Sequence, residues 1–482
     1  MTLVLSRRLL ALTCSASVAV GIGAVTLTGC ARDLGPQVAV EIEKRLDAAR
    51  PAAVPPETWT NVRRFYEARM FAPRWVRDGE PGQASAVLRT LQRAPDHGLS
   101  AGDYADIGLQ RVLAPSKTSI EEALDHDVAR IAQLDVRVTA ALLALGRDVA
   151  VGRVTPAVID ARWTMKRTPP DLAGTLAEAA DADRLDGWLD AVRPIHPEYA
   201  ALQRALADLR AHPGEDGDDR ASRLALNLER WRWVPDDLGE THILVNVPAF
   251  EMALWEHGRP AVAMKVIVGK PDRQTPLFNA TMETIVFSPY WNVPDSIAEG
   301  ETAPAAARDP HFLTRNHIEI LRRSKDGVSV VDPSSIDWQD PEAIKPLAFR
   351  QQPGPGNALG HVKFLFPNQY DVYLHDTPAD ALFARTGRAL SHGCVRLEKP
   401  DALANYLLRD DPEWDETKIQ TAMHQDEEKH VALKRKLPVY IVYFTAGPDG
   451  AGGVVFWPDV YGYDAKQSGS QAASLRAAVK LD

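Results

Sequence analysis

The hydrophobic period of this chain changes once, at a charged, glycine-punctuated stretch, "AHPGEDGDDRA", residues 211–221. Before it, "VRRFYEARM", "ASAVLRTLQRA" and "LDVRVTAALLALGRDVAVGRV" repeat apolar residues at steps of three and four, as helices with one buried face do. After it, "THILVNVPAFEMALWEHGRPAVAMKVIVGK" reads as strands around a turn at His257-Gly258, and "METIVFSPYW", "VKFLF", "YDVYLH", "LPVYIVYFTA" and "GVVFWPDVY" read as further strands. Patterns kept this far apart predict an α+β chain: an all-α domain over 58–210, a linker over 211–221 and a β-rich domain over 222–465. The mixed stretch 300–360, with "RQQPGPGNALG", predicts an inserted lid or capping subdomain, and 466–482 a polar tail. At 482 residues the chain exceeds what one core serves, and its 45% hydrophobic content supplies material for more than one.

A formal net charge of -10 and the absence of any clustered basic run argue against a nucleic-acid partner. The first 33 residues carry Arg7 and Arg8, then a mainly apolar stretch rich in small residues, then Leu27-Thr28-Gly29-Cys30. This is the grammar of an export signal, residues 1–29. The last four residues resemble the bacterial lipoprotein signal, which implies cleavage before a diacylated Cys30, a periplasmic location and a lipid hold on a membrane. The alternative is an uncleaved membrane anchor, because residues 9–28 are nearly long enough to span a bilayer. Residues 30–57, polar with a Pro/Ala patch, read as a tether.

Of three cysteines, Cys14 leaves with the signal and Cys30 takes the lipid, so the mature chain keeps one thiol, Cys394 in "SHGCVRL". A lone thiol in an oxidising compartment is either used or a buried apolar filler. The strand "YDVYLHDT" turns Asp371, Tyr373 and His375 to one face, and Cys394 follows its histidine after 19 residues. An imidazole in reach can take the proton of a thiol whose ordinary pKa is about 8.5. Gly393 lets the backbone approach a substrate, N–H groups beside the cysteine could donate to an oxyanion, and Arg396 could hold a carboxylate or favour the thiolate. The histidines lack cysteine or carboxylate partners at ligand spacing, so no metal and no cofactor is expected.

"YLHDTPADALFARTGRALSHGCVRLEKPDALA" resembles the active-site segment of the L,D-transpeptidases, cysteine enzymes that cross-link peptidoglycan. It is most similar to their large periplasmic branch, and "NLERWRWVP", "VIVGKPDRQTP", "SPYWNVPDSI" and "FWPDVYGYD" resemble further blocks of it. "FYEARMFAPRWVRDG", "APDHGLSAGDY" and "GRVTP" resemble the helical scaffold domain of that branch. The resemblance implies an N-terminal all-α scaffold domain, then a β-rich L,D-transpeptidase catalytic domain. It implies Cys394 as nucleophile and His375 as base and acid, acting on stem tetrapeptides as donor and acceptor to form 3-3 cross-links with loss of the terminal D-alanine. Gly393 and Tyr373 would support the oxyanion, Ser391 and His392 would shape the turn or orient His375, and Arg396 would bind a stem carboxylate. Trp291 and Asn292 would line the donor cleft, with burial of the tryptophan against a strand as the alternative, and Trp231 and Trp233 carry the same alternative. Carbapenem-type inhibitors are expected to acylate such a site. Two departures stand out: only the linker occupies the place where the branch usually inserts a peptidoglycan-binding module, and His392 stands where relatives often have serine. Water or a protein lysine as acceptor would make a carboxypeptidase or an anchoring enzyme, and an idle wall-binding lipoprotein would keep the fold alone. An unrelated cysteine protease would need an Asn or Asp to orient His375, and Asp376, one residue along the strand, should face away.

Overall fold

The structure is a computed structural model that describes residues 33–475 apart from 53, 78–79, 82, 114–126 and 325–326. The expected signal segment, Cys30 and residues 476–482 lie outside the described residues.

The N-terminal part is helical. α1 (Gly35–Asp47), α2 (Pro56–Glu67), α3 (Ala84–Gln92), α4 (Ile107–Leu113), α5 (Val128–Val151), α6 (Leu172–Asp181) and α7 (Trp188–Val192) share one apolar core. The central α5 is buried along most of its length, which suits its run of alanine, leucine and valine, and Asp127 caps its start by accepting from Ala129 N and Arg130 N. Asp135 is buried on it because every lone pair is used: its carboxylate accepts from Tyr66 Oη at 2.6 Å, Trp75 N at 2.7 Å, Arg74 N at 3.0 Å and Val76 N at 3.1 Å.

Three expected boundaries move. Residues 35–47, read as tether, form α1, because Val38, Ile42 and Leu46 recur at helical spacing and pack on α5. The linker contracts to 212–216, between α8 (Pro197–Ala211) and α9 (Gly217–Trp231). Most of the expected tail belongs to a helix, Tyr463–Leu475, held because the buried Gln467 accepts from Arg230 Nε at 2.8 Å. α8 and α9 also bury Tyr199, Leu202, Leu206, Leu224 and Leu228 in the core of the β-rich part, so the change of hydrophobic period does not coincide with the boundary between cores. Trp231 stacks on Phe444 at 4.4 Å and Trp233 meets Trp163 edge-on at 4.9 Å, so both tryptophans are core residues.

The β-rich part is built on β1 (Thr241–Asn246), β2 (Glu251–Glu256), β3 (Arg259–Gly269), β4 (Asn279–Phe287), β9 (Val362–Leu365), β10 (Leu374–His375), β11 (Ala389–Ser391), β12 (Val395–Leu397) and β13 (Lys429–Val442). Their order is β11-β3-β12-β10-β9-β4-β13-β1-β2, and β2 also pairs with β3, so the sheet curls back on itself. His257 and Gly258, both at positive φ, make the expected tight turn between β2 and β3. A separate sheet of β5 (Trp291–Asn292), β8 (Leu347–Gln351), β6 (Ile318–Ser324) and β7 (Gly327–Val331) forms a cap with its own small apolar core. The insertion therefore starts at Trp291, earlier than the expected 300, because β5 pairs with β8.

Candidate active site

The site is set by two short parallel strands. β10 pairs with β12 in the register Leu374↔Val395 and His375↔Arg396, and Val395 N donates to Tyr373 O at 3.2 Å. Leu374 and Val395 are fully buried in the core, so strand alternation turns Tyr373, His375, Cys394 and Arg396 to the opposite face. From a strand spacing of about 4.8 Å and a rise of about 3.3 Å per residue, the α-carbons of Cys394 and His375 are about 8 Å apart on one face, which an imidazole and a thiol can bridge. The Tyr373 and His375 rings meet edge-on at 5.7 Å.

The turn before Cys394 is rigid. Ser391 Oγ accepts from Gly393 N at 3.1 Å and donates to Cys394 O at 2.6 Å. Gly393 adopts φ +125°, which a side chain would strain, and Thr275 Oγ1 donates to its carbonyl at 2.8 Å. The same Thr275 hydroxyl accepts from Gly269 N at 2.9 Å, and Tyr461 Oη donates to Gly269 O at 2.8 Å. Thr275 and Tyr461 thus brace the turn that leads into Cys394. Sequence reasoning gave them no part, because nothing in "DRQTP" or "VYGYD" signals it.

His375 is buried, and its Nδ1–H donates to the Asp376 main-chain carbonyl at 2.5 Å, which leaves Nε2 as the basic nitrogen. The Asp376 carboxylate accepts from His361 N and Thr377 N, both at 2.7 Å, and so faces away from the imidazole. Burial first, then the Arg396 charge, lowers the His375 pKa to about 3. Burial pushes the half-buried Cys394 thiol up to about 11, against the Tyr373 main-chain N–H, the Tyr373 phenol and Arg396, which favour the thiolate. At rest the pair is a neutral thiol beside a neutral imidazole. The thiol also points at Asp371 O, 3.8 Å away, where Asp371 at φ +52° ends the expected longer strand. Burial lowers the Arg396 pKa, and its Nε is buried with no hydrogen-bond partner among the described residues.

Two sequence expectations are corrected. The Gly393 N–H is held by Ser391 and is not free for an oxyanion. His392 does not orient His375, a task left to the Asp376 carbonyl; it reaches across to Glu301 of the cap at 2.7 Å. Trp291 and Asn292 lie on the cap's edge strand, Trp291 against the cap core and Asn292 exposed, on a different sheet from Cys394.

Residues 240–429 match the family model of the L,D-transpeptidase catalytic domain, known as YkuD. The chain carries an L,D-transpeptidase catalytic domain. Residues 60–206 match the Scaffold domain, so the L,D-transpeptidase domain follows a helical scaffold as the resemblance implied. A Haemophilus influenzae protein named "Putative L,D-transpeptidase" is 33% identical over 298 residues, 60% of this chain and 59% of that protein. The chain thus matches less than two thirds of that relative's length. Among solved structures, an L,D-transpeptidase from Mycobacterium smegmatis is 15% identical, over 42% of this chain and 58% of that one, with a TM-score of 0.21. L,D-transpeptidase 3 from Mycobacterium tuberculosis, in complex with a faropenem-derived adduct, is 14% identical over 42% and 60% with a TM-score of 0.20.

Proposed function

We propose that the protein is a peptidoglycan L,D-transpeptidase that forms 3-3 stem-peptide cross-links through a thioester on Cys394. The observation that carries this reading is the register of β10 with β12, which puts the Cys394 thiol and the His375 imidazole, its Nδ1–H held by the Asp376 carbonyl, on one face of the sheet. His375 Nε2 takes the Cys394 proton as sulfur attacks the carbonyl of the third residue of a tetrapeptide stem. Tyr373, by its phenol, and the Cys394 N–H are the donors for the tetrahedral oxyanion. Collapse breaks the amide bond, the imidazolium gives its proton to the departing D-alanine amine, and an acceptor amine, relieved of a proton by His375, then breaks the thioester. Arg396, with a buried and unpartnered Nε, suits a stem carboxylate. Its neighbour His392, joined to Glu301, ties the cap to the nucleophile turn.

Export with lipid attachment at Cys30 completes the reading and gives a periplasmic enzyme. Because α1 begins at Gly35, such a lipid would hold the scaffold domain close to the membrane without a long leash. Among the described residues no helix is long and apolar enough to cross a membrane. Incubation of the purified protein with disaccharide-tetrapeptides, with mass spectrometry of the products, tests the reaction. Dimers lacking one alanine are expected, and tripeptide alone would mean that water is the acceptor. Carbapenems should acylate Cys394, and a wall-binding protein without activity would give no adduct.

A further inference from the structure

One row of the central sheet places the imidazole between two cations. Arg396 on β12 pairs with His375 on β10, and His375 pairs with Lys363 on β9. Paired positions on neighbouring strands project from the same face, so the guanidinium and the ammonium flank the imidazole from its two sides. Lys363 is fixed there with a side chain only 13% exposed: Nζ donates to Tyr290 O at 3.3 Å and to Glu428 Oε1 at 3.5 Å. Glu428 in turn accepts from Tyr290 N at 2.9 Å and pairs with His430 at 3.1 Å. The other groups on the face of His375 are Cys394, just before β12, and Tyr373, just before β10, while the Asp376 carboxylate turns to the amides of His361 and Thr377.

We propose that Lys363 is a positioning residue for acyl transfer, acting through His375: its anchored ammonium, with Arg396 on the opposite flank, keeps the imidazole neutral except while it carries a proton in transit. The proposal rests on the reading of Cys394 as nucleophile and His375 as base. Both cations, after burial, depress proton affinity at the imidazole. The proton that leaves the thiol is therefore held on a nitrogen beside two positive charges, and it passes readily to the departing amine. The arrangement leaves the resting thiol without a base that keeps its proton, so burial holds it protonated although Arg396 favours the thiolate. It trades reactivity toward any passing electrophile for acid strength at the step in which D-alanine leaves.

A purely structural role is the competing account, because Tyr290 immediately precedes the cap and the Lys363–Glu428 pair staples its main chain. Charge separates the two. Lys363→Met keeps the length and removes the charge, and Lys363→Arg keeps the charge. In the full chain with labelled histidine, NMR should show the His375 titration of Lys363→Met moved to higher pH, with faster iodoacetamide alkylation of Cys394 at neutral pH. Lys363→Arg should stay with the parent protein in both. Glu428→Gln, which leaves the ammonium uncompensated, should move both readouts the opposite way, and it serves if Lys363→Met does not fold. An unmoved titration with alkylation equally slowed in the Met and Arg variants would overturn the proposal in favour of the staple. Neither readout needs a peptidoglycan product, so absence of cross-linking in every protein, the parent included, would sink the functional reading and leave this test standing.

Discussion

Tyr373 stands beside Cys394 across two parallel strands, and both its main-chain N–H and its phenol favour charge on the sulfur. In the proposed reaction the same O–H would donate to the sulfur at rest and to the oxyanion during attack. Tyr373→Phe should therefore slow acyl transfer by about 100-fold, the usual loss for one oxyanion donor, with the fold unchanged. Steady-state rates on stem peptides, with circular dichroism as the control, measure this.

The pH dependence of thiol reactivity follows from two pKa values, about 11 for Cys394 and about 3 for His375. A thiol pKa above the ordinary range leaves little thiolate at neutrality, and a depressed histidine supplies no imidazolium to stabilise it. Alkylation by iodoacetamide should climb with pH toward an inflection near about 11. A plateau from mildly acidic to neutral pH would indicate a resting ion pair and contradict the neutral one.

Thr275→Val keeps the shape of the side chain and removes the hydroxyl that joins Gly269 N to Gly393 O. Two buried polar groups lose their partner, at a cost of about 1–3 kcal/mol each. Urea denaturation should show reduced stability, and the turn that holds Cys394 should loosen, with slower acylation by a carbapenem.

In the scaffold, Asp135→Ala should be severe, because it strips hydrogen-bond acceptors from the Tyr66 phenol and from the amides of Arg74, Trp75 and Val76. A loss of about 3 kcal/mol or more is expected from several unpaired buried donors, read as an earlier urea midpoint.

The legible parts of this molecule were those with a local signal. Helical periodicity found α5, alternation found β1 to β4, and "SHGC" with an upstream histidine found the two residues that β10 and β12 bring together. Alternation also turned the Asp376 carboxylate away, as the structure has it. What stayed hidden depends on contacts between distant segments. α1 looked like a polar tether because only three of its 13 residues are buried, and these gain a partner only when α5 is present. "VKFLF" read only as a strand, since the place of Lys363 beside His375 comes from strand order, which no local pattern encodes. Similarly, Glu229 and Arg232 of "NLERWRW" form a buried pair at 2.5 Å whose carboxylate also accepts from Val154 N at 3.1 Å, a joint between the two halves that spacing does not reveal.

Intact-mass analysis of the enzyme during turnover with a disaccharide-tetrapeptide bears most directly on the thioester. The account predicts an adduct equal to the donor less its terminal alanine, mapped to Cys394 and absent in Cys394→Ala. Cross-linked product formed with no such adduct, or an adduct on any other residue, would contradict it.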